Sequence, residues 1–194
     1  MWSKFTLARV DSPILIIGGN GMKYPKYTVG VITISDKGAA GERVDLSGPK
    51  IVSIIEETGL FDVKERIIIS DDRDGIEATL KRMADEEGYN LILTTGGTGF
   101  APRDNAPEAT KAVMTKDCPG ISEYIRMKSC EITPKGMLSR GASVIRNSTL
   151  VVNLPVSPKA VREILGLIIP ALTHGLDMVL QRYGECATRE GENA

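Results

Sequence analysis

The sequence is poor in the residues on which most metal and nucleophile sites depend. Its 194 residues include three cysteines, Cys118, Cys130 and Cys186, and one histidine, His174. A structural zinc site needs about four such ligands in close pairs, and this spacing offers none. Scattered cysteines in odd number argue against a disulfide framework and suit a reducing cytoplasm. No serine or cysteine lies in a recognisable nucleophile elbow, so a catalytic triad has little support.

Excess charge and long apolar runs are also absent. Lys and Arg total 24 against 25 Asp and Glu, so no overall basic excess favours a nucleic-acid partner. The longest apolar run near the N-terminus, residues 13–17, is too short to span a bilayer. We therefore expect a cytoplasmic protein without nucleic-acid or membrane partners. Its length suits one domain with a substantial core.

What is present is a regular alternation of strands and helices that begins near residue 27. Apolar, β-branched runs predict strands over residues 29–34, 63–69 and 91–93. The helices between them should begin at Pro49 and at Gly75, the second with Asp74 as its cap. Strands and helices that alternate at this spacing need right-handed crossovers, so a parallel sheet covered on both faces is expected.

The second half is less regular. It predicts helices over 108–115 and 120–130, strands over 143–146 and 149–153, and a long helix from Lys159 that Pro170 should kink or restart. The fold class is therefore α/β: a three-layer α/β/α sandwich with a mostly parallel central sheet and a small β-hairpin-like addition. Residues 27–183 should form this domain. An N-terminal extension, with a strand candidate at 14–17, should occupy 1–26, and a flexible tail should occupy 184–194.

A glycine-rich segment follows the third predicted strand. It reads Thr94-Thr95-Gly96-Gly97-Thr98-Gly99, with Arg103 and Asp104 shortly after. Ligands of parallel α/β sheets bind outside the carboxyl ends of the strands. Glycines there let successive N–H groups form an anion nest, which the threonine hydroxyls can extend. The segment is neither a Walker A loop nor a Rossmann fingerprint. A tight turn is the simpler reading, but the arginine and aspartate favour phosphate binding.

Two carboxylates are candidates for the chemistry. Asp104 either caps the helix that starts near Pro107 or faces a bound Mg²⁺, and Asn105 is an alternative cap. Asp71, or its neighbour Asp72, follows the second strand and either lies in a solvated turn or supplies a second metal ligand. Weaker candidates stand at other strand ends or in a polar loop: Ser35, Asp36, Ser139, Arg140, Asn153 and Pro155.

From about residue 28 to 180 the chain resembles the molybdenum-cofactor biosynthesis family of the MogA type, to which gephyrin's G domain also belongs. The most specific stretch runs from Thr94 to Thr110. The supporting segments are residues 34–36, 132–134, 137–140 and 151–155. The sequence departs from the family pattern at Val156, which stands where glycine is common, and at Ser70-Asp71-Asp72, which leaves Asp71 and Asp72 as alternatives.

The resemblance implies molybdopterin adenylyltransferase activity, in which AMP passes from Mg-ATP to the terminal phosphate of molybdopterin and pyrophosphate is released. It also implies a homotrimer and a molybdate insertase as downstream partner. Asp71 and Asp104 would be the catalytic and metal-binding residues. The nucleotide and pterin pocket would comprise Ser35, Asp36, Gly96, Gly97, Thr98, Gly99, Arg103, Ser139, Arg140, Asn153 and Pro155. The alternatives are a MoaB-type molybdopterin-binding protein and a non-catalytic scaffold module.

Overall fold

The computed structural model describes residues 24–182, which form a six-stranded sheet with helices on both faces. The strands are β1 (Tyr27–Ile34), β2 (Phe61–Ile69), β3 (Leu91–Thr95), β4 (Lys116–Asp117), β5 (Ser143–Arg146) and β6 (Thr149–Leu154). Their order is β2-β1-β3-β6-β5-β4. The pairs β1–β2, β1–β3 and β3–β6 are parallel, whereas β6–β5 and β5–β4 are antiparallel. The predicted mostly parallel sheet with an added hairpin is confirmed.

Apart from the short α1, which was not predicted, the helices follow the predicted order with shifted ends. They are α1 (Asp36–Ala39), α2 (Ser47–Glu57), α3 (Arg73–Lys81), α4 (Ala106–Ala112), α5 (Pro119–Ile132) and α6 (Pro158–Val179). A π-helical turn, Arg82–Glu86, extends α3, and a 3-10 turn, Pro134–Leu138, follows α5. α6 runs through Pro170 without a break, so the predicted restart is wrong. None of these helices is both long enough and apolar enough to cross a membrane.

Apolar side chains fill both faces of the sheet, as the continuous apolar strands require. On one face, Ile51 of α2 and Leu165 of α6 belong to a single buried cluster with alternate residues of β1 and β3. On the other face, Ile76 and Leu80 of α3 and Ala109 of α4 cover the intervening strand residues. Each fully buried aliphatic side chain contributes roughly 1.5–3 kcal/mol to folding. The three-layer sandwich predicted from the strand pattern is confirmed.

At the level of single elements, one strand was not predicted and one predicted cap is wrong. No pattern in the sequence predicted β4, which has two exposed residues and pairs within the described sheet only with β5. The predicted cap Asp74 lies within the first turn of α3, and Asp72 is the cap instead. Its Oδ2 accepts a hydrogen bond from the N–H of Gly75 at 2.8 Å. Asp72 and Asp74 are both of a residue type that caps helices. The path of the chain after β2 places Asp72 at the cap position.

The strand candidate at residues 14–17 and the proposed tail lie outside the described residues, and the proposed domain boundaries stay predictions. Within the domain, the parallel arrangement decides where function can reside. The carboxyl ends of β1, β2, β3 and β6 meet at one edge of the sheet. Ser35, Asp71, Gly96 and Pro155 follow these strands, so residues from four distant parts of the sequence come together there.

The cap assignment makes a stability prediction. Asp72→Ala should lower the free energy of unfolding by about 1 kcal/mol, because the N–H of Gly75 loses its acceptor. Asp74→Ala should cost less, since it removes only an exposed charge near the N-terminus of α3. Urea denaturation at low and high salt checks this. The cost of Asp72→Ala should persist in high salt, whereas that of Asp74→Ala should shrink. A larger cost for Asp74→Ala would contradict the assignment.

Candidate active site

A cleft of about 260 Å³ opens at the carboxyl edge of the sheet. Its floor is formed by residues that follow β1, β2 and β3, among them Ser35, Asp71, Gly96 and Gly97. Asp104 lines the same cleft and also a neighbouring depression of about 580 Å³. The depression is lined by Phe100, Ala101, Pro102, Asp104, Asn105, Glu108 and Arg140. One carboxylate thus borders two spaces, each large enough to take part of a substrate.

The turn after β3 requires glycine at two positions. Gly96 has φ +99° and Gly97 has φ +62°, both in the region that side chains disfavour. A Cβ at Gly96 would lie 2.1 Å from the carbonyl oxygen of Ile34, a clash with backbone that cannot move aside. A Cβ at Gly97 would lie 3.2 Å from Oδ1 of Asp71. The glycines therefore let the loop cross the end of β1 and pass close to a carboxylate.

The loop uses its carbonyl groups for its own support. Gly97 O accepts from the N–H of Ala106 at 3.1 Å, and Thr98 O accepts from the N–H of Arg140 at 2.9 Å. Gly99 O accepts from Nε of Arg140 at 2.7 Å. Across the described residues, the N–H groups of Gly97, Thr98 and Gly99 donate no hydrogen bond. Three successive donors are thereby left without an acceptor in the described chain. Gly97 lines the cleft, whereas Thr98 and Gly99 border neither the cleft nor the depression, so the anion nest stays a prediction.

The threonines before the loop do not take part in such a nest. Thr94 and Thr95 belong to β3 and are fully buried. Thr95 Oγ1 donates to Pro155 O at 2.7 Å, and Thr94 Oγ1 accepts from Nδ2 of Asn153 at 2.9 Å. The expectation that their hydroxyls extend the nest is wrong, because β3 continues two residues further than predicted. Thr98 is the threonine within the loop.

Asp36 and Asp71 are locked together by reciprocal hydrogen bonds. The N–H of Asp36 donates to Asp71 Oδ2 at 2.8 Å, and the N–H of Asp71 donates to Asp36 Oδ1 at 3.0 Å. Arg103 donates to both oxygens of Asp36, at 2.6 Å from Nε and 2.9 Å from Nη2. The ends of β1 and β2 and the glycine loop are thus joined through one carboxylate. Asp72 is engaged as a cap, so Asp71 is the carboxylate that lines the cleft.

The charges in this group set the pKa values of the carboxyls. The hydrogen bonds from Arg103 hold the pKa of Asp36 below its usual range, and the same contact raises the pKa of Arg103. Burial raises the pKa of Asp71, and the nearby negative charges of Asp36 and Asp104 add to this effect. Asp71 therefore carries a charge that its surroundings do not fully compensate.

Asp104 is held by its own loop. Its Oδ2 accepts from the N–H of Ala101 at 2.8 Å, and its N–H donates to Ala101 O at 2.9 Å. It does not cap α4. Asn105 occupies the cap position, without a side-chain hydrogen bond to the helix. Pro107 lies in the first turn of α4, as predicted. Asp104 is thus positioned by a local turn that leaves its Oδ1 without a partner within the described chain.

Arg140 supports the loop from the opposite side. Besides its bond to Gly99, its guanidinium donates to the carbonyl of Asp104 and to the carboxylate of Glu108. The sequence predicted Arg140 as a cation for a phosphate, but in this structure its donors serve the loop. Ser139 lies beside it, in a separate depression next to α5. Arg140 is therefore a tether for the segment that carries Asp104.

Asn153 and Pro155 lie beneath the cleft rather than in it. Asn153 is 2% exposed, and its Oδ1 accepts from the N–H of Ala142 at 3.0 Å. Its Nδ2 donates at 2.9 Å to Thr94 and to Thr110. The side chain thus joins β3, α4 and β6 into one unit. Val156, the departure from the family pattern, has no positive φ and is exposed at the mouth of the cleft, so the turn accommodates valine.

Sequence reasoning missed the segment between α1 and α2. Arg43, Val44, Asp45, Leu46 and Ser47 all line the cleft. The side chain of Asp45 is 4% exposed and its Oδ1 accepts from the N–H groups of Ser47 and Gly48, both at 3.0 Å. An aspartate two residues before a helix is a capping signal that could have located this anchor. Nothing in the sequence places the segment opposite the glycine loop.

The donor set of the cleft suits a hydrated divalent cation. No group of three or more potential ligands occurs among residues 24–182, so a preformed metal cage is absent there. Asp71 and Asp104 both line the cleft, neither forms an ion pair within the described chain, and the charge of Asp104 contributes to the raised pKa of Asp71. Mg²⁺ is commonly held by one or two carboxylates together with phosphate oxygens and water. The two aspartates fit that pattern.

The fold and the cleft define a parallel α/β domain with a glycine loop and two carboxylates at the carboxyl edge of its sheet. Comparison with known proteins identifies the family. Residues 30–174 match the family model described as a probable molybdopterin binding domain. The chain is 42% identical over 156 residues to the molybdopterin adenylyltransferase of Helicobacter pylori, covering 80% of this chain and 89% of that protein.

Solved structures with the same fold support this family assignment. The molybdopterin biosynthesis enzyme MoaB from Thermus thermophilus has a TM-score of 0.75 at 42% identity, over 80% of this chain and 97% of that one. A MogA structure has a TM-score of 0.73 at 34% identity and covers 78% of this chain and 99% of its own. The chain belongs to the molybdenum-cofactor biosynthesis family, as its motifs predicted.

The raised pKa of Asp71 predicts a pH-dependent stability. A carboxyl whose pKa is higher in the folded than in the unfolded chain is destabilising once it ionises, and the effect disappears when both states are protonated. Asp71→Asn removes the charge and still accepts from the N–H of Asp36. The melting temperature of metal-free protein should therefore rise at neutral pH, and the gain should vanish in acid. Asp72→Asn, which keeps a good cap, should change little. A lower melting temperature for Asp71→Asn at neutral pH would refute this account.

Because Arg140 holds the glycine loop in place, its loss should make residues 98–104 more mobile. Arg140→Met leaves the carbonyls of Gly99 and Asp104 without their donor, so the unfolding free energy should fall by about 1–2 kcal/mol. Amide hydrogen exchange over residues 98–104 should become faster. Arg146→Met in β5 breaks comparable bonds, to Asp85 in the π-helical turn and to Val113 after α4, and should destabilise the protein without changing that exchange. Unchanged exchange in Arg140→Met would show that the loop needs no tether.

Proposed function

We propose that this chain transfers AMP from Mg-ATP to the terminal phosphate of molybdopterin and releases pyrophosphate. The observation that carries the proposal is the position of Asp104, which borders both the cleft and the neighbouring depression beside a loop with three unused N–H donors. Transfer between two phosphate-bearing substrates needs two adjoining spaces and a common reacting point. Family relatives that bear the name molybdopterin adenylyltransferase support the same reaction.

In the reaction, a terminal phosphate oxygen of molybdopterin attacks the α-phosphorus of ATP. A new P–O bond forms, the bond from the α-phosphorus to the bridging oxygen breaks, and pyrophosphate departs with the electron pair. The protein's contribution to such transfers is positioning and charge stabilisation rather than covalent chemistry. The N–H groups of Gly97, Thr98 and Gly99 would bind oxygens of the reacting phosphate, where negative charge accumulates.

Asp71 and Asp104 would hold Mg²⁺, which when bound supplies positive charge to the phosphate oxygens. The reciprocal bonds to Asp36 fix the position of Asp71, and the turn at Ala101 fixes that of Asp104. Because the pKa of Asp71 is raised, a cation between the carboxylates would also relieve their repulsion. The described chain would thus provide two of the metal's ligands, and phosphate oxygens and water would provide the others.

The remaining predicted site residues act at different distances from the substrates. Ser35 lines the cleft and contacts ligand in this proposal. Asp36 and Arg103 act through Asp71, while Arg140 acts through the glycine loop. Ser139 borders the depression beside α5, and Asn153 and Pro155 support the cleft from below. Outside the chain, we propose a cytoplasmic homotrimer that delivers its product to a molybdate insertase.

A second candidate is molybdopterin binding without transfer. It is favoured by the likeness to the MoaB structure, which equals the H. pylori relative in sequence identity. Pyrophosphate release from purified chain, molybdopterin and Mg-ATP separates the two. Release supports transfer, whereas molybdopterin binding without release supports the second candidate.

Loss of Asp104 should abolish the reaction. Asp104→Ala removes one of the two carboxylates and the acceptor for the N–H of Ala101, so turnover should fall by at least a hundredfold while the free energy of unfolding falls by only about 1 kcal/mol. Pyrophosphate release measures turnover, and circular dichroism follows folding. Asp72→Ala serves as the matched control, because it removes a neighbouring aspartate that caps α3 and should leave turnover intact. Near-normal turnover in Asp104→Ala would exclude its role.

A further inference from the structure

Arg43 lines the cleft and has no side-chain partner within the described residues. Among the described residues that line the cleft it is the one basic side chain, and it shares that space with Asp71 and Asp104. It forms no ion pair and no side-chain hydrogen bond within residues 24–182. Its guanidinium nitrogens lie more than 4.0 Å from the carboxylate oxygens of Asp71 and Asp104. The cleft therefore has a free cation set apart from its carboxylates.

The other arginines around the site, Arg66, Arg103 and Arg140, each form an ion pair within the protein. Arg66 pairs with Asp45 at 3.1 Å, and Arg103 pairs with Asp36 at 2.6 Å. Arg140 pairs with Glu108. These three guanidinium groups hold the protein together, and their release for a ligand would break those contacts. Arg43 can bind an anion without any such loss.

The backbone beneath Arg43 is nevertheless fixed. The N–H groups of Glu42 and Arg43 donate to the carbonyl of Lys37, at 2.9 and 3.2 Å. Two residues later, the buried carboxylate of Asp45 accepts from Thr33 Oγ1 at 2.9 Å and from the first N–H groups of α2. The helix N-terminus is thereby occupied and unavailable to a phosphate. Arg43 thus combines a well-defined backbone position with an unengaged guanidinium.

We infer that Arg43 binds the β- and γ-phosphates of ATP and stabilises the departing pyrophosphate. This inference rests on the proposed function. The glycine loop lies against the two carboxylates, so its N–H groups serve the phosphate that reacts. The phosphates that leave extend beyond the reacting phosphate, and Arg43 is the basic side chain that the described cleft offers them. A guanidinium matches phosphate oxygens with two parallel donors, and positive charge on a leaving group lowers the barrier to its departure.

Nucleotide binding to the full chain, measured by calorimetry with Mg²⁺ and without molybdopterin, tests the inference. Arg43→Met should weaken the binding of ATP and of inorganic pyrophosphate about tenfold or more, since a charge-assisted contact is lost. The binding of AMP should be unchanged. Arg43→Lys should be intermediate, because lysine keeps the charge but not the paired donors. Arg162→Met, which removes an exposed arginine of α6 outside the cleft, should match wild type.

Three results would overturn the inference. The first is an Arg43→Met variant that binds ATP as tightly as wild type, and the second is a variant that loses as much affinity for AMP as for ATP. The third is a raised KM for molybdopterin with an unchanged KM for ATP, because Arg43 would then contact molybdopterin instead of ATP. A wild-type chain that binds no ATP would overturn both the inference and the proposed function. A wild-type chain that binds ATP with the expected Arg43 dependence but releases no pyrophosphate would sink the proposed reaction alone.

Discussion

The close approach of Gly96 to the end of β1 is the constraint on which the site depends. The backbone of the loop passes so near the carbonyl of Ile34 that a single added carbon would lie 2.1 Å from it. Glycine at positive φ removes that conflict and turns the chain across the strand end. Gly97 is then brought against Asp71, and Asp104 follows in the same loop. Without this crossing, the two carboxylates would belong to separate surfaces.

A division of labour between backbone and side chains follows from that crossing. The carbonyl groups of the loop accept from Ala106 and Arg140, so the loop is supported from behind. Among the described residues, the N–H groups of Gly97, Thr98 and Gly99 donate no hydrogen bond. Preorganised donors of this kind cost no rearrangement when a phosphate binds. The arginines around the loop are mostly bonded to other parts of the protein, and Arg43 is the basic residue of the cleft that has no side-chain partner within residues 24–182.

Local sequence reasoning was least reliable where one residue type can play two roles. Arg140 looked like a phosphate ligand, yet its guanidinium is bonded to loop carbonyls and Glu108. Asp72 and Asp74 were both plausible caps, and the geometry after β2 selects Asp72. Asn153 looked like a ligand residue, but its amide joins β3, α4 and β6 in the core. In each case the side chain's partner is distant in sequence, so no spacing rule could identify it.

The sequence by itself determined the α/β class, the parallel strands and the glycine loop, because hydrophobic periodicity and positive-φ turns are local properties. Its motifs also identified the family and pointed to Asp71 and Asp104. The tertiary structure decided which groups are free. It bonds Asp36 to Asp71 and Arg103, buries Asn153, and brings the segment of Arg43 and Asp45 to the cleft. Whether a polar side chain meets a ligand or another part of the protein depends on contacts between segments that are far apart in the chain, and folding alone fixes those contacts.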